Sequence, residues 1–546
     1  MRLFPPLLKQ KTVMLLFFVN LSLLYACKQE VFIDKAINET ESSNLSPDDY
    51  SISEYAYNVN IIYLIPKDRD TIAGYKERLS ELFLWSQNWT KDEMNRHGYP
   101  DKTFGLLLNN QNKVLIQVIR SQYTHAELPY DSSLGGATKA EDEVKAYYAA
   151  NPTSKASEHT IILYPSLTNG IKATGGTPYY GRGKFCHALD YSLLTLANVK
   201  LDNPTGKEAR KWFGGMIHEL FHGLNLPHNS ENSADQGKAI MREHFNYGLD
   251  KLILTATDAS IFNVSQVFSK VQGTFYGPVT SNLTLTSSSY NAANSTINLA
   301  GNITASNPVN KVIVYVDPHL TKDIAAGVAA PNTDYTAVSF VTNLVNGQFN
   351  IAIPTNLLID FDTTIDHYIR ISTIHANGTL SRNLGMYKFK FDSNKVPTIN
   401  FVRSEITLDK TNWTIASFSS QNISYNEYAA NIIDNNSATY WQSRWSTSAT
   451  SFPHEIVINL GTSQTIKGLT WLHRSQGNKR PVSEAEILVS QDGTNYQSAG
   501  TYSISNLTNK QFLDFPAAVN AKFIKLNMKK GHDGTQYACI AEIEAF

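Results

Sequence analysis

Apolar positions fall along this chain in three textures. Residues 13–26 form a mainly apolar stretch behind Arg2, Lys9 and Lys11. From about residue 51 to 275, short apolar runs alternate with helical periodicity. The run 59–65 is β-branched, is closed by Pro66 and predicts a strand. Residues 70–97 predict a helix, with Tyr75, Leu79, Leu82 and Trp85 among its apolar positions. Strands are predicted at 104–108 and 113–120, around the turn 109–112, and again at 160–164 and 185–191. The glycine-rich stretch 175–184, with Tyr179 and Tyr180, predicts a loop. Then Ala209, Trp212, Phe213, Met216, Ile217, Leu220, Phe221 and Leu224 recur three and four apart, the stripe of a helix packed into a core. Thr205-Gly206-Lys207-Glu208 has the form of a capping box at its start. Asn225 tolerates left-handed backbone angles and Pro227 bars continuation, so the helix stops between them. Beyond about residue 275, Ser, Thr and Asn become frequent and the period falls to two. Short strands at 283–285, 296–299, 312–316, 349–353 and 367–371 predict an immunoglobulin-like β-sandwich over 277–392. No chemical constellation appears in it, and its expected role is a spacer.

The stripe carries chemistry. His218 and His222 are four apart, so a helix places them on one face, one turn apart. Both can offer an imidazole nitrogen to one zinc ion, and Glu219 can reach the open side as general base on a bound water. His228, past the helix end, can fold back as the third ligand. Three histidines plus water make an open, catalytic arrangement, whereas structural zinc sites are closed by four protein ligands.

The stretch His218-Glu219-Leu220-Phe221-His222-Gly223-Leu224-Asn225-Leu226-Pro227-His228 resembles the metzincin metallopeptidase signature HExxHxxGxxH, with Asn225 in place of the Gly. The resemblance implies an α/β (α+β) catalytic domain over 51–275, with a twisted mixed sheet behind the zinc helix. It also implies an edge strand that pairs with the peptide substrate. Met241, thirteen positions after His228, matches the family's methionine turn, a hydrophobic floor under the metal.

The N-terminal stretch reads as a secretory signal. Its end, Leu24-Tyr25-Ala26-Cys27, resembles a bacterial lipoprotein signal, which implies lipid on Cys27, a flexible tether over 28–50 and a place on the cell envelope, at the outer membrane. Plain secretion with cleavage near Ala26 is the alternative. With 546 residues the chain has room for several domains. Its net charge of −1 gives no basic face for nucleic acid. Its three cysteines give no disulfide framework.

Residues 397–546 resemble the discoidin, or coagulation factor type C, domain, also known as a carbohydrate-binding module. Carrying the resemblance are Ile433-Asp434-Asn435-Asn436-Ser437-Ala438-Thr439-Tyr440-Trp441, the strand 456–461, Ile487-Leu488-Val489-Ser490-Gln491-Asp492-Gly493 and Ile540-Ala541-Glu542-Ile543-Glu544. It implies a jelly-roll β-sandwich and a structural Ca²⁺ on Asp434, Asn436, Thr439 and Glu542, whose hard oxygen donors suit that ion. It also implies glycan contacts at Trp445, His473, Arg474 and Arg480, on loops at one end of the sandwich. The chain therefore reads as a zinc endopeptidase of the bacterial envelope, held on glycoprotein substrates by its C-terminal module. A surface glycan-binding adhesin with a non-catalytic metal domain is the alternative, and the intact Glu219 counts against it.

Overall fold

The computed structural model describes residues 50–546, apart from 130–134, 167–179, 243–250, 319–332, 360–362, 400, 403–404, 447–448, 475–479 and 507–509. Cys27, nearly all of the tether and part of the stretch 175–184 lie outside the described residues.

The first sheet has five strands. β1 (Asn60–Ile65), β2 (Gln117–Arg120), β3 (Thr160–Pro165) and β5 (Phe185–Asp190) run parallel, and β4 (Tyr180–Arg182) lies antiparallel to β5 at the edge. The order is β2-β1-β3-β5-β4. β1 is buried along its whole length because both faces of the sheet are covered. Ile61, Tyr63 and Ile65 join the core formed with α1 (Tyr75–Arg96) and with α4 (Pro204–Gly223). Ile62 and Leu64 point the other way, toward α2 (Gly136–Ala150). A pleat of period two makes that division, and a parallel strand buried on both faces needs a continuous apolar run. After the single turn α3 (Leu196–Val199) comes α4 (Pro204–Gly223), then the small pair β6 (Lys238–Ala239) and β7 (Leu252–Ile253), then α5 (Ala256–Phe262).

Two expectations differ. Residues 104–108 are irregular, with isolated bridges only at Leu108, to Ile52 and Val114. Gly105 explains this: a Cβ there would lie 2.4 Å from the Tyr57 carbonyl, so the backbone bonds sideways, donating to Val267 and accepting from Val59. In the stretch 175–184, the end that is described forms β4 rather than a loop.

Among the described residues the second region holds seven strands. They are β8 (Ser281–Asn291), β9 (Thr296–Ala305), β10 (Val309–Pro318), β11 (Val338–Thr342), β12 (Gln348–Pro354), β13 (His367–His375) and β14 (Leu380–Phe389). They form sheets β11-β10-β13-β14 and β12-β9-β8. Val312, Val314 and Val316 of β10 fill the core between the two sheets. The alternate residues Ile313 and Tyr315, with Ala337 and Ile374, belong instead to the core of the first region. A spacer shares no core with its neighbour, so that expectation is corrected.

The third region has β15 (Thr414–Phe418), β16 (Trp441–Gln442), β17 (His454–Leu472), β18 (Val482–Ser490), β19 (Gln497–Ser503), β20 (Gln511–Gly531), β21 (Cys539–Ile540) and β22 (Glu542–Ala545). One sheet runs β15-β17-β20-β18-β19, with β22 also on β17, and β16 pairs with β21. A separate core surrounds Trp413, Trp441 and Trp471. Among the described residues, no helix is long and apolar enough to cross a membrane.

Candidate active site

The cap of α4 lies two residues before the predicted one. Asn203 is the cap: its side chain accepts from the Gly206 N–H at 2.9 Å, and Pro204 sits at the first helical position with its φ already set. Glu208 is used elsewhere, accepting from the Trp212 indole at 2.7 Å. The stripe seats the helix. Phe213 meets Trp85, and Phe221 meets Trp89 and Phe262.

That seating turns His218 and His222 toward one point. The Nδ1 of His218 lies 2.7 Å from the Ile240 carbonyl, and the Nδ1 of His222 lies 2.8 Å from the Leu226 carbonyl. A carbonyl only accepts, so both Nδ1 atoms carry the proton and both Nε2 atoms present a lone pair. Past the helix, Asn225 has φ 77° and turns the chain back, with the Asn225 and Leu226 N–H groups closing on the His222 and Phe221 carbonyls. This brings the Nε2 of His228 to 3.3 Å from that of His218 and 2.8 Å from that of His222. The three ligand atoms lie within 4.8 Å of one another. Converging lone pairs, each ring oriented by a carbonyl in two of three cases, fit a divalent metal of the zinc type. Met241 is fully buried beside Ile240, whose carbonyl holds His218.

Glu219 follows His218 on α4 and reaches the sheet edge. The Gly181 N–H of β4 donates to its carboxylate, while burial pushes its pKa up to about 7. Gly181 could not be another residue without movement, because a Cβ would lie 2.4 Å from the Cβ of His222. Among the described residues β4 pairs only with β5, so its outer edge is the strand edge next to α4. Burial also lowers the His222 pKa, favouring the neutral, ligating form.

Comparison with known proteins bears on the whole arrangement. The chain matches the crystal structure of wild-type OgpA from Akkermansia muciniphila with a TM-score of 0.56 and 31% identity, over 62% of this chain and 94% of that one. A share of that size is more than the third region alone can supply. By descent this chain belongs with OgpA. OgpA in catalytically inactive form has also been solved with an O-glycopeptide (glycodrosocin) substrate, and matches at 30% identity with a TM-score of 0.57, over 63% of this chain and 95% of that one. Residues 405–543 match the F5/8 type C domain model. A sialidase of Micromonospora viridifaciens is 32% identical over 142 residues, 25% of this chain and 22% of the sialidase. The matched stretch thus spans about a fifth of that curated relative.

In the F5/8 type C domain the expected residues scatter. Trp445 donates its indole N–H to Glu427 at 2.9 Å, and its ring lies 4.7 Å from that of the exposed Tyr425. Arg474 lies over the Tyr440 ring at 3.9 Å and donates to Gln442. These two line a surface with aromatic faces and polar groups. His473 is buried, 2% exposed, against Trp471, and so does not reach a surface ligand. Arg480 is engaged by Asp533 and the Tyr537 ring. For calcium, Asp434 accepts from Thr439 at 2.6 Å and from the Asn436 N–H at 2.8 Å. Glu542 is met by the buried ammonium of Lys410. That ammonium meets one carboxylate oxygen, and the charge of Asp434 also bears on Glu542, so the expected donors lie near one another. Sequence reasoning did not find Gly181 or Lys410, because each acts on residues far away in the chain.

Proposed function

We propose that this chain is a zinc-dependent endopeptidase of metzincin type that cleaves O-glycosylated proteins. The observation that carries the reading is the convergence of His218, His222 and His228 beside Glu219, next to β4, which among the described residues pairs only with β5. Zinc held by the three histidines would acidify a water and polarise the scissile carbonyl. Glu219 takes the proton of the attacking water and returns it to the departing amine as the peptide C–N bond breaks. A carboxyl whose pKa lies near 7 suits both halves of that transfer. The edge of β4 supplies backbone groups to an extended peptide. OgpA with its bound O-glycopeptide supports the substrate class.

The F5/8 type C domain, through Trp445 and Arg474, would hold the enzyme on glycans and raise its effective concentration at the substrate. Lipid on Cys27 would tether it to the bacterial envelope, at the outer membrane. The test is zinc content and glycoprotein cleavage by the mature chain beside Glu219→Gln. Stoichiometric zinc in both, with cleavage reduced at least ~10³-fold in the variant, is the expected result. Cleavage that survives the substitution sinks the mechanism. Zinc and glycan binding with no cleavage by the wild type would make the chain an adhesin.

A further inference from the structure

The groups assigned so far to the metal centre all come from the first region. One further ring does not. Tyr335 lies in the short 3-10 turn Thr333–Thr336 that leads into β11 of the second region. Its ring centroid is 3.7 Å from that of His228, with the planes 26° apart.

Backbone pairing fixes this approach. The Ser230 N–H donates to the Ala337 carbonyl at 2.8 Å, and Ser230 and Val338 form a parallel bridge. The stacked rings therefore sit two residues before a hydrogen-bonded pair in both segments, His228 before Ser230 and Tyr335 before Ala337. Ser233 adds two more bonds, from its N–H to Leu357 at 3.0 Å and from its hydroxyl to Asn356 at 2.8 Å. Ala337 itself is fully buried in the core of the first region.

His228 is the ligand for which this matters. His218 and His222 ride on a helix packed along its length, whereas His228 lies in the loop beyond it. A ring stacked at van der Waals distance restricts the torsion that swings the imidazole out of line.

We propose that Tyr335 is a positioning residue of the metal centre, holding the imidazole of His228 in the orientation of a third ligand. The second region is then a working part of the metal site. The inference rests on the zinc reading above. It assigns the ring of Tyr335 this role, and its hydroxyl none.

The experiment compares the full mature chain with Tyr335→Phe, Tyr335→Ala and Tyr335→Leu, with Zn²⁺ affinity read by competition against a chromophoric chelator. Thermal melts of the zinc-free proteins report folding separately. Tyr335→Phe keeps the wild-type Zn²⁺ affinity within about twofold. Tyr335→Ala and Tyr335→Leu lose about 10–100-fold, the range seen when groups that orient metal ligands are removed. At saturating Zn²⁺ the kcat of Tyr335→Phe stays within about twofold of wild type. Wild-type affinity in both Tyr335→Ala and Tyr335→Leu overturns the proposal, and so does a kcat loss in Tyr335→Phe as large as in Tyr335→Ala. A wild-type chain that binds no Zn²⁺ fails the underlying reading instead.

Discussion

Gly181 has no side chain because α4 leaves no room for one. Its N–H reaches Glu219, and the missing Cβ lets β4 rest on the Cβ of His222. We predict that Gly181→Ala lowers kcat at least ~10-fold, since a displacement of about an ångström at the base can cost two orders of magnitude. The protein should still fold, with a stability loss of about 1–3 kcal/mol from overpacking. Wild-type kcat in a folded Gly181→Ala protein would show that the strand does not place Glu219. The contrast with the histidines explains what was legible at this scale. His218, Glu219, His222 and His228 lie within one short stretch, so helix geometry alone relates them. Asn225 could be read as a left-handed bend from its chemistry, and its φ is 77°. Gly181 and Tyr335 meet the site from 41 residues before and 107 residues after their contacts at His222 and His228. No local pattern encodes contacts at that separation.

The elements were legible where burial imposes a period. β1, α1 and α4 lie within a residue or a few of where their apolar patterns place them, because each buries a full face or stripe. β4 was not read, since three residues, Tyr-Gly-Arg, carry no period and exist as a strand only through pairing with β5. At this scale His159 makes a measurable prediction. It is fully buried at the start of β3, with Nδ1 donating to the Gly223 carbonyl at the end of α4 and Nε2 accepting from the Tyr276 hydroxyl, both at 2.6 Å. Burial lowers its pKa from 6.5 to about 3. Between those values the unfolded chain binds a proton that the folded chain refuses, so stability falls as pH drops through that window. The slope is about 1.4 kcal/mol per pH unit for one proton. Denaturant melts between pH 4 and 6 (roughly the middle of that window) should show His159→Gln with a shallower dependence than wild type. An unchanged slope would mean that His159 is protonated in the fold.

Across the whole molecule, the β-rich texture beyond residue 275 announced one sandwich, and the C-terminal motif announced an F5/8 type C domain. What the texture did not announce is that β10 buries both faces, one of them in the core of the first region, because Val-Ile-Val-Tyr-Val reads alike whether one face or two is covered. For the third region we expect Trp445→Ala and Arg474→Ala to raise KM on a densely glycosylated protein about 10-fold or more, while kcat/KM on a short glycopeptide changes less than about twofold. Equal losses on both substrates would place these residues in the cleavage step itself. The shared core also bears on how such a chain can be rearranged over time. A recombination point near residue 277 cuts through one hydrophobic core and strands Tyr335 apart from His228, so both halves are lost. A point between residues 402 and 408 separates two complete cores and leaves each intact. The first two regions would therefore be inherited together, while the third could be exchanged without opening either core.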